Sequence, residues 1–398
     1  MNSSLRTSAR LVAKAPDERS TLNLEHVRRV MSEIFEPGMH AARVRSLANG
    51  VAGLLKAAVL SIHAIGQAYA SLAPISPKSG VKQVDRWLGN NGIHLDTLMA
   101  LWCKHLVGDS TELCFAIDWT DFDDDDHSTL CIYQVTRLGR ALPICWKTVR
   151  KSQMKKCRTE HELALIETLD QWLAPNTRVT LLADRGFGYQ ELYELLSMLG
   201  WDYVIRFRRD IWVHWQGERR KAGDWVANSG QAQMLREARV TADATPVPAV
   251  VTAKAARMKE PWCLVTSLTE RRASEIVQLY GRRFTIEETF RDTKDLHFGM
   301  GLRATHIRSA SRRDRMLMLV ALAHTLLCLL GAASERSGLD KYLKANTSKQ
   351  RTHSLYRQGL YWYGCIATMR QSWLRSLMEC YDNIVREHAL FSQIFGVK

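Results

Sequence analysis

No two cysteines in this chain stand in a C-x-x-C pair, and the nine present are an odd number scattered along its length. That excludes the zinc knuckle and the stapled secreted scaffold, and with no secretory signal ahead of them the thiols are expected free and buried in a reducing cytoplasm. Long apolar runs are scarce. Met316 to Ala333 alone reaches membrane-spanning length, between Arg312, Arg313, Arg315 and Arg336. Because His324 and Thr325 lie at its middle, a buried core helix is the expectation, and no membrane partner. Calcium-loop chemistry is missing too. Asp121, Asp123, Asp124, Asp125 and Asp126 lack the glycine and closing glutamate of such a loop, so the run is expected to be a solvated turn.

Acidic residues are in deficit: 41 Asp and Glu against 55 Lys and Arg leave a formal charge of +14. A polyanionic partner follows, with nucleic acid favoured over a membrane surface. Arginine supplies most of the excess, which suits bidentate phosphate contacts. The length of 398 residues suggests two to four domains.

Helical spacing dominates residues 22–107. Pro74 and Pro77 interrupt it before Lys78-Ser-Gly-Val-Lys82-Gln-Val-Asp-Arg86-Trp87, a basic helix start. Lys78, Lys82 and Arg86 suit phosphate contacts in a helical DNA-binding domain; a solvated helix start fits equally well. From Glu112 the pattern turns to strands, in the order βββαβαβ through Phe207, which predicts a mixed sheet with helices on its faces. This is the α/β, ribonuclease H-like arrangement. Five regions are expected: a helical DNA-binding domain over 1–110, the first part of the core over 111–208, a β-rich insertion over 209–268, the rest of the core over 269–335, and a helical C-terminal region over 336–398 suited to dimerisation.

Two aspartates close strands in this order. Asp118 ends or nearly ends the first strand and Asp184 the fourth, so neighbouring strand ends hold two carboxylates close together. A divalent cation is the natural resolution of that repulsion. Asp121, three residues beyond Asp118, belongs on the opposite face. Further on, Tyr280, Arg283, Glu287 and Lys294 fall at about 0°, −60°, −20° and −40° on a helix advancing 100° per residue. One narrow wedge therefore carries a phenol, a guanidinium, a carboxylate and an ammonium. With Glu287 as third oxygen donor, Asp118, Asp184 and Glu287 make a site for hard ions, Mg²⁺ or Mn²⁺, two of them about 3.5–4 Å apart for in-line phosphoryl transfer.

The spacing Tyr280-x2-Arg283-x3-Glu287-x6-Lys294, after Asp118 in AIDWTDF and Asp184 in LLADRGFG, resembles the signature of insertion sequence 4 (IS-four) family DDE transposases. The resemblance implies cut-and-paste transposition through hairpin ends, with Asp118, Asp184 and Glu287 catalytic. It implies that Tyr280 and Arg283 contact phosphates near the cleaved end and Lys294 the backbone. Hairpin formation extrudes a base, for which Trp212, Trp215 or Trp225 of the insertion would supply stacking. Double-stranded DNA, as terminal inverted repeats and as target, is the implied partner, met by a homodimer in the nucleoid. A nuclease that cuts without joining and a non-catalytic DNA binder are the rival readings.

Overall fold

A computed structural model describes residues 23–136, 140–255, 258–295 and 299–386. The expected regions 1–110 and 336–398 each run past the described residues at one end. Five helices open the chain: α1 (Leu24–Phe35), α2 (Ala41–Ala57), α3 (Ile62–Ala70), α4 (Pro77–Gly89) and α5 (Leu95–Val107). The punctuation is local. Ser76 caps α4 by accepting from the Ser79 amide, and Pro77 fills the first helical position, where no amide is needed.

Then come β1 (Glu112–Phe122), β2 (His127–Gln134), β3 (Leu142–Arg150), α6 (Arg158–Asp170), β4 (Arg178–Ala183), α7 (Gln190–Met198) and β5 (Asp202–Phe207), the expected βββαβαβ order. After them lie β6 (Trp212–Trp215), β7 (Glu218–Lys221), β8 (Gln233–Val240), β9 (Thr245–Ala253) and β10 (Trp262–Thr266). All ten strands form one sheet, ordered β3-β2-β1-β4-β5-β10-β9-β8-β6-β7. The β-rich segment thus continues the central sheet: β10 pairs antiparallel with β5, Cys263 opposite Phe207, and carries the others outward. Among the described residues, only the β1–β4 and β4–β5 pairs are parallel. The mixed sheet with helices at both ends of the chain is a ribonuclease H-like α/β core.

Last are α8 (Ala273–Gly281), α9 (Thr285–Lys294), α10 (Ala310–Arg336), α11 (Leu355–Cys365) and α12 (Gln371–Arg386). The wedge segment is therefore two helices and not one. Gly281, a weak helix former, ends α8, and a 3₁₀ turn over Arg282–Phe284 tightens the backbone before α9. The apolar run lies within α10, whose residues Met316–Gly331 are all buried. It packs against β3, α2, α4, α11 and α12, so it joins both terminal helical regions to the sheet, and α5 adds a direct contact with β3 through Trp102 Nε1 on the Pro143 carbonyl. All nine cysteines are free and six are buried.

Asp314 stitches α10 to β3. Its Oδ1 accepts from the Thr148 amide at 3.0 Å, and its carbonyl accepts from Trp146 Nε1 at 3.0 Å. Burial pushes its pKa from 3.8 up to about 7, opposed by the Thr148 hydrogen bonds and the Lys147 and Arg313 charges. The unfolded carboxylate ionises near pH 4 while the folded one stays protonated to about 7. Stability from this group is thus full below pH 4 and lost as pH rises toward 7. Asp314→Asn keeps the acceptor and removes that slope. Against the native chain, the variant is expected to gain up to about 4 kcal/mol between pH 4 and pH 8, at roughly 1.4 kcal/mol per unit. Urea midpoints at the two pH values check this; parallel profiles would refute it.

Candidate active site at the end of the parallel ladder

The β1–β4 register determines where the aspartates meet. The parallel ladder runs from Glu112 opposite Arg178 to Ile117 opposite Ala183 and stops. Asp118 and Asp184 are the next residue on each chain, so both fall at the same end of the ladder. Asp118 does not end its strand: β1 continues to Phe122 because its antiparallel partner β2 continues, pairing Asp118 with Cys131 and Phe122 with His127. Asp184 starts the Arg185–Phe187 turn, accepting from the Arg185 amide at 2.6 Å.

Asp118 is half-buried. Its Oδ1 accepts from the Trp119 amide at 2.8 Å. Burial pushes its pKa up to about 6, and the nearby Asp184 charge adds to the rise, while Arg283 and the Trp119 amide oppose it. Arg283 is the cation at this place, with a side chain only 4% exposed. Its Nη1 donates to Asp118 Oδ2 at 3.1 Å and its Nη2 to Glu287 Oε1 at 2.8 Å. Burial works against its charge, but Tyr280, Asp118, Asp184 and Glu287 together hold its pKa above the ordinary value. Two carboxylates, from β1 and α9, thus grip one guanidinium, and the charge of Asp184 at the β4 end acts on it as well.

Among the described residues, no three His, Cys, Asp or Glu side chains are gathered as a ready metal cage. The donor set still fits a hard divalent cation: all oxygen, net anionic, and compensated here by the Arg283 guanidinium. The guanidinium must give way for Asp118, Asp184 and Glu287 to serve as ligands.

The other wedge residues have different surroundings. Tyr280 is fully buried, edge-on to Trp262 at 5.0 Å and to Phe284 at 6.4 Å. Lys294 Nζ donates to Thr120 Oγ1 at 2.8 Å and to the Asp121 carbonyl at 2.9 Å, tying α9 to β1. Burial, with Arg303 nearby, pushes its pKa down to about 8. The ammonium expected on a DNA backbone is here a strut between two elements of the site.

Of the insertion tryptophans, Trp212 lies between Arg219 and Lys221, and Trp215 packs edge-on against Trp225 while donating to the Arg236 carbonyl. Both are on β6, five strands from β4, or about 24 Å at the usual strand spacing. Trp262 on β10 is two strands from β4 and stacks on Phe284 at 5.7 Å. Strand pairing between β10 and β5, which local periodicity does not reveal, is what brings it in.

Asp121 is turned away, held by Ser128 at 2.6 Å and Lys151 at 2.7 Å. Its acidic neighbours form the β1–β2 turn, with Asp123 on Lys151, Asp125 on Arg313 and Asp126 on Ser152. Lys78, Lys82 and Arg86 are exposed on α4, one helical turn apart, and Lys82 and Arg86 share a groove with Arg43 of α2. That groove and the carboxylates belong to separate parts of the fold.

Residues 147–326 match the family model of the transposase DDE domain. The span takes in Asp184 and the Tyr280–Lys294 segment and begins after Asp118. No curated protein matches the chain. The match supports a DDE transposase family, whose members act on DNA and generally depend on a divalent metal.

Proposed function

From a transposase DDE domain over residues 147–326, we propose that the protein performs cut-and-paste transposition in the manner of the insertion sequence 4 group. The observation that carries this is the placing of Asp118 and Asp184 at one end of the β1–β4 ladder, with Glu287 joined to Asp118 through Arg283. In the proposed reaction a water nicks one strand at each transposon end. The freed 3′-hydroxyl attacks the opposite strand to close a hairpin, a second water reopens it, and the 3′ ends join target DNA.

Asp118, Asp184 and Glu287 would hold Mg²⁺ or Mn²⁺, two ions in the working site. When bound, such ions activate the attacking oxygen and stabilise the leaving one. The chain's own groups position the strand. Arg283, released from the carboxylates, becomes a buried guanidinium for the non-bridging oxygens of the cleaved phosphate. Lys294 keeps α9 and Glu287 against β1. Trp262 and Phe284, stacked beside Arg283 and with Phe284 37% exposed, are better placed than Trp212 or Trp215 to receive an extruded base. Domain roles follow the same reading: α1–α5 grip the end sequence, and two protomers hold two ends, with the C-terminal region as their contact.

Incubating the protein with Mg²⁺ and DNA bearing the inverted repeats that flank its gene is expected to give hairpins and strand-transfer products. Cuts alone would refute joining, and intact DNA would refute catalysis. Binding of those ends should weaken steeply with salt. Replacing Lys78, Lys82 and Arg86 together by alanine is expected to flatten the slope of log affinity against log salt by about 3, near 0.9 per lost phosphate contact. An unchanged slope would take α4 off the DNA.

A further inference from the structure

A buried glutamate beside the site is used by none of the chemistry above. Glu162 lies on α6 in phase with Leu165, Ile166 and Leu169, the residues that seat the helix on the sheet. Its side chain is 1% exposed. A carboxylate there is costly unless its oxygens are met, and three donors meet them. Trp119 Nε1 donates to Oε1 at 2.6 Å, Arg158 Nε to Oε1 at 3.0 Å, and the Tyr189 hydroxyl to Oε2 at 2.7 Å.

Two of these donors come from the two aspartate-bearing segments. Trp119 follows Asp118 on β1 and alternates to the opposite face, so its indole reaches α6 while its amide donates to Asp118 Oδ1. Tyr189 closes the short loop that Asp184 opens and leads into α7. Arg158 spans the same gap. Its guanidinium lies 5.5 Å over the Trp119 ring, and a Cβ on Gly186 would stand 3.3 Å from its Nη2. An apolar residue at 162 would leave the Trp119 and Tyr189 donors without acceptors.

We infer that Glu162 is a positioning residue for the metal-binding aspartates: by holding Trp119 and Tyr189 on one carboxylate, it sets the separation of Asp118 and Asp184. The inference rests on the proposed reading of those aspartates as ligands, and the test separates the two.

Mn²⁺ binding to the full-length protein without DNA is measured by calorimetry, with melting in chelator alongside. Asp184→Asn is expected to abolish measurable binding. Glu162→Ala is expected to weaken it on the order of tenfold, as loss of groups that orient metal ligands does. Glu162→Gln, which keeps an acceptor for Trp119 and a partner for Tyr189, should recover most of that loss. Tyr189→Phe removes one hydroxyl, leaves the packing intact, and should still cost a few-fold. Wild-type affinity in both Tyr189→Phe and Glu162→Ala, beside an Asp184→Asn that does not bind, would refute the positioning role and leave the ligands standing. A lowered melting temperature in Glu162→Ala with unchanged Mn²⁺ affinity would make the residue a plain α6 anchor. Wild-type binding by Asp184→Asn would overturn the ligand reading, and the positioning role with it.

Discussion

Asp184→Asn and Glu287→Gln are each expected to lower DNA cleavage at least about a thousandfold, or ~4 kcal/mol of transition-state stabilisation, with end binding retained. On the proposed ligand reading each substitution removes one charged oxygen donor from three, and an amide is a poor substitute toward a hard cation. The fold should survive both. Asp184 is half-exposed at the mouth of a turn, and the Glu287 side chain is 49% exposed. Single-turnover cleavage under saturating protein measures the loss; near-normal rates in either variant would sink the site assignment. Arg283 should behave in the opposite sense toward metal. Removing its guanidinium leaves Asp118 and Glu287 without their counter-charge, so Arg283→Ala should melt lower than the native chain in chelator. Added Mg²⁺ should then stabilise the variant more than the native protein, because nothing competes for the carboxylates.

How much of this was legible beforehand depends on the range of the forces involved. Strand runs such as Arg178–Ala183 and the aspartate after them are written in local alternation and burial, and the order βββαβαβ leaves few ways to arrange five strands. Asp118 and Asp184 could therefore be paired from sequence. The surroundings of Arg283 could not. A guanidinium one turn before a carboxylate looks the same whether it faces solvent or two further carboxylates, and only the packing of α8 and α9 on the sheet decides. The same holds for Trp262, brought in by β10 pairing with β5, and for the continuation of the sheet through 209–268. Glu162 did leave a signal: a carboxylate in phase with three core leucine and isoleucine positions is an anomaly in helical periodicity. The break at Gly281 was equally visible, since a glycine follows the first residue of the wedge that helical spacing assumed unbroken.

The largest stability effect is expected far from the carboxylates, where α10 and α11 cross. A Cβ on Gly359 would lie 1.8 Å from the Leu327 carbonyl oxygen, and one on Gly331 2.0 Å from that of Leu355. Both neighbours are backbone, so no rotamer change relieves the overlap and the helices must separate by more than an ångström. Overpacking that moves backbone places Gly359→Ala at about 3 kcal/mol or more of lost stability. Gly364 is on the same helix with nothing within 4 Å of its Cβ position, so Gly364→Ala should be neutral or stabilise by up to about 1 kcal/mol through helix propensity. The pair isolates the contact from the residue type. It also reaches the site. Tyr356 of α11 stacks on His324 of α10 at 4.8 Å, and His324 Nε2 lies 3.7 Å from Asp292 of α9, on the helix that carries Glu287. Arg140 holds the same Asp292 from the sheet side at 2.5 Å. Forcing α11 outward loosens one of these two contacts on Asp292, so Gly359→Ala should lose cleavage at temperatures where it is still folded, while Gly364→Ala should not. Equal urea midpoints for the two variants would mean that the crossing is looser than its geometry; equal cleavage at a folded temperature would mean that the sheet-side contacts of Arg140 and Lys294 hold α9 without help from α11.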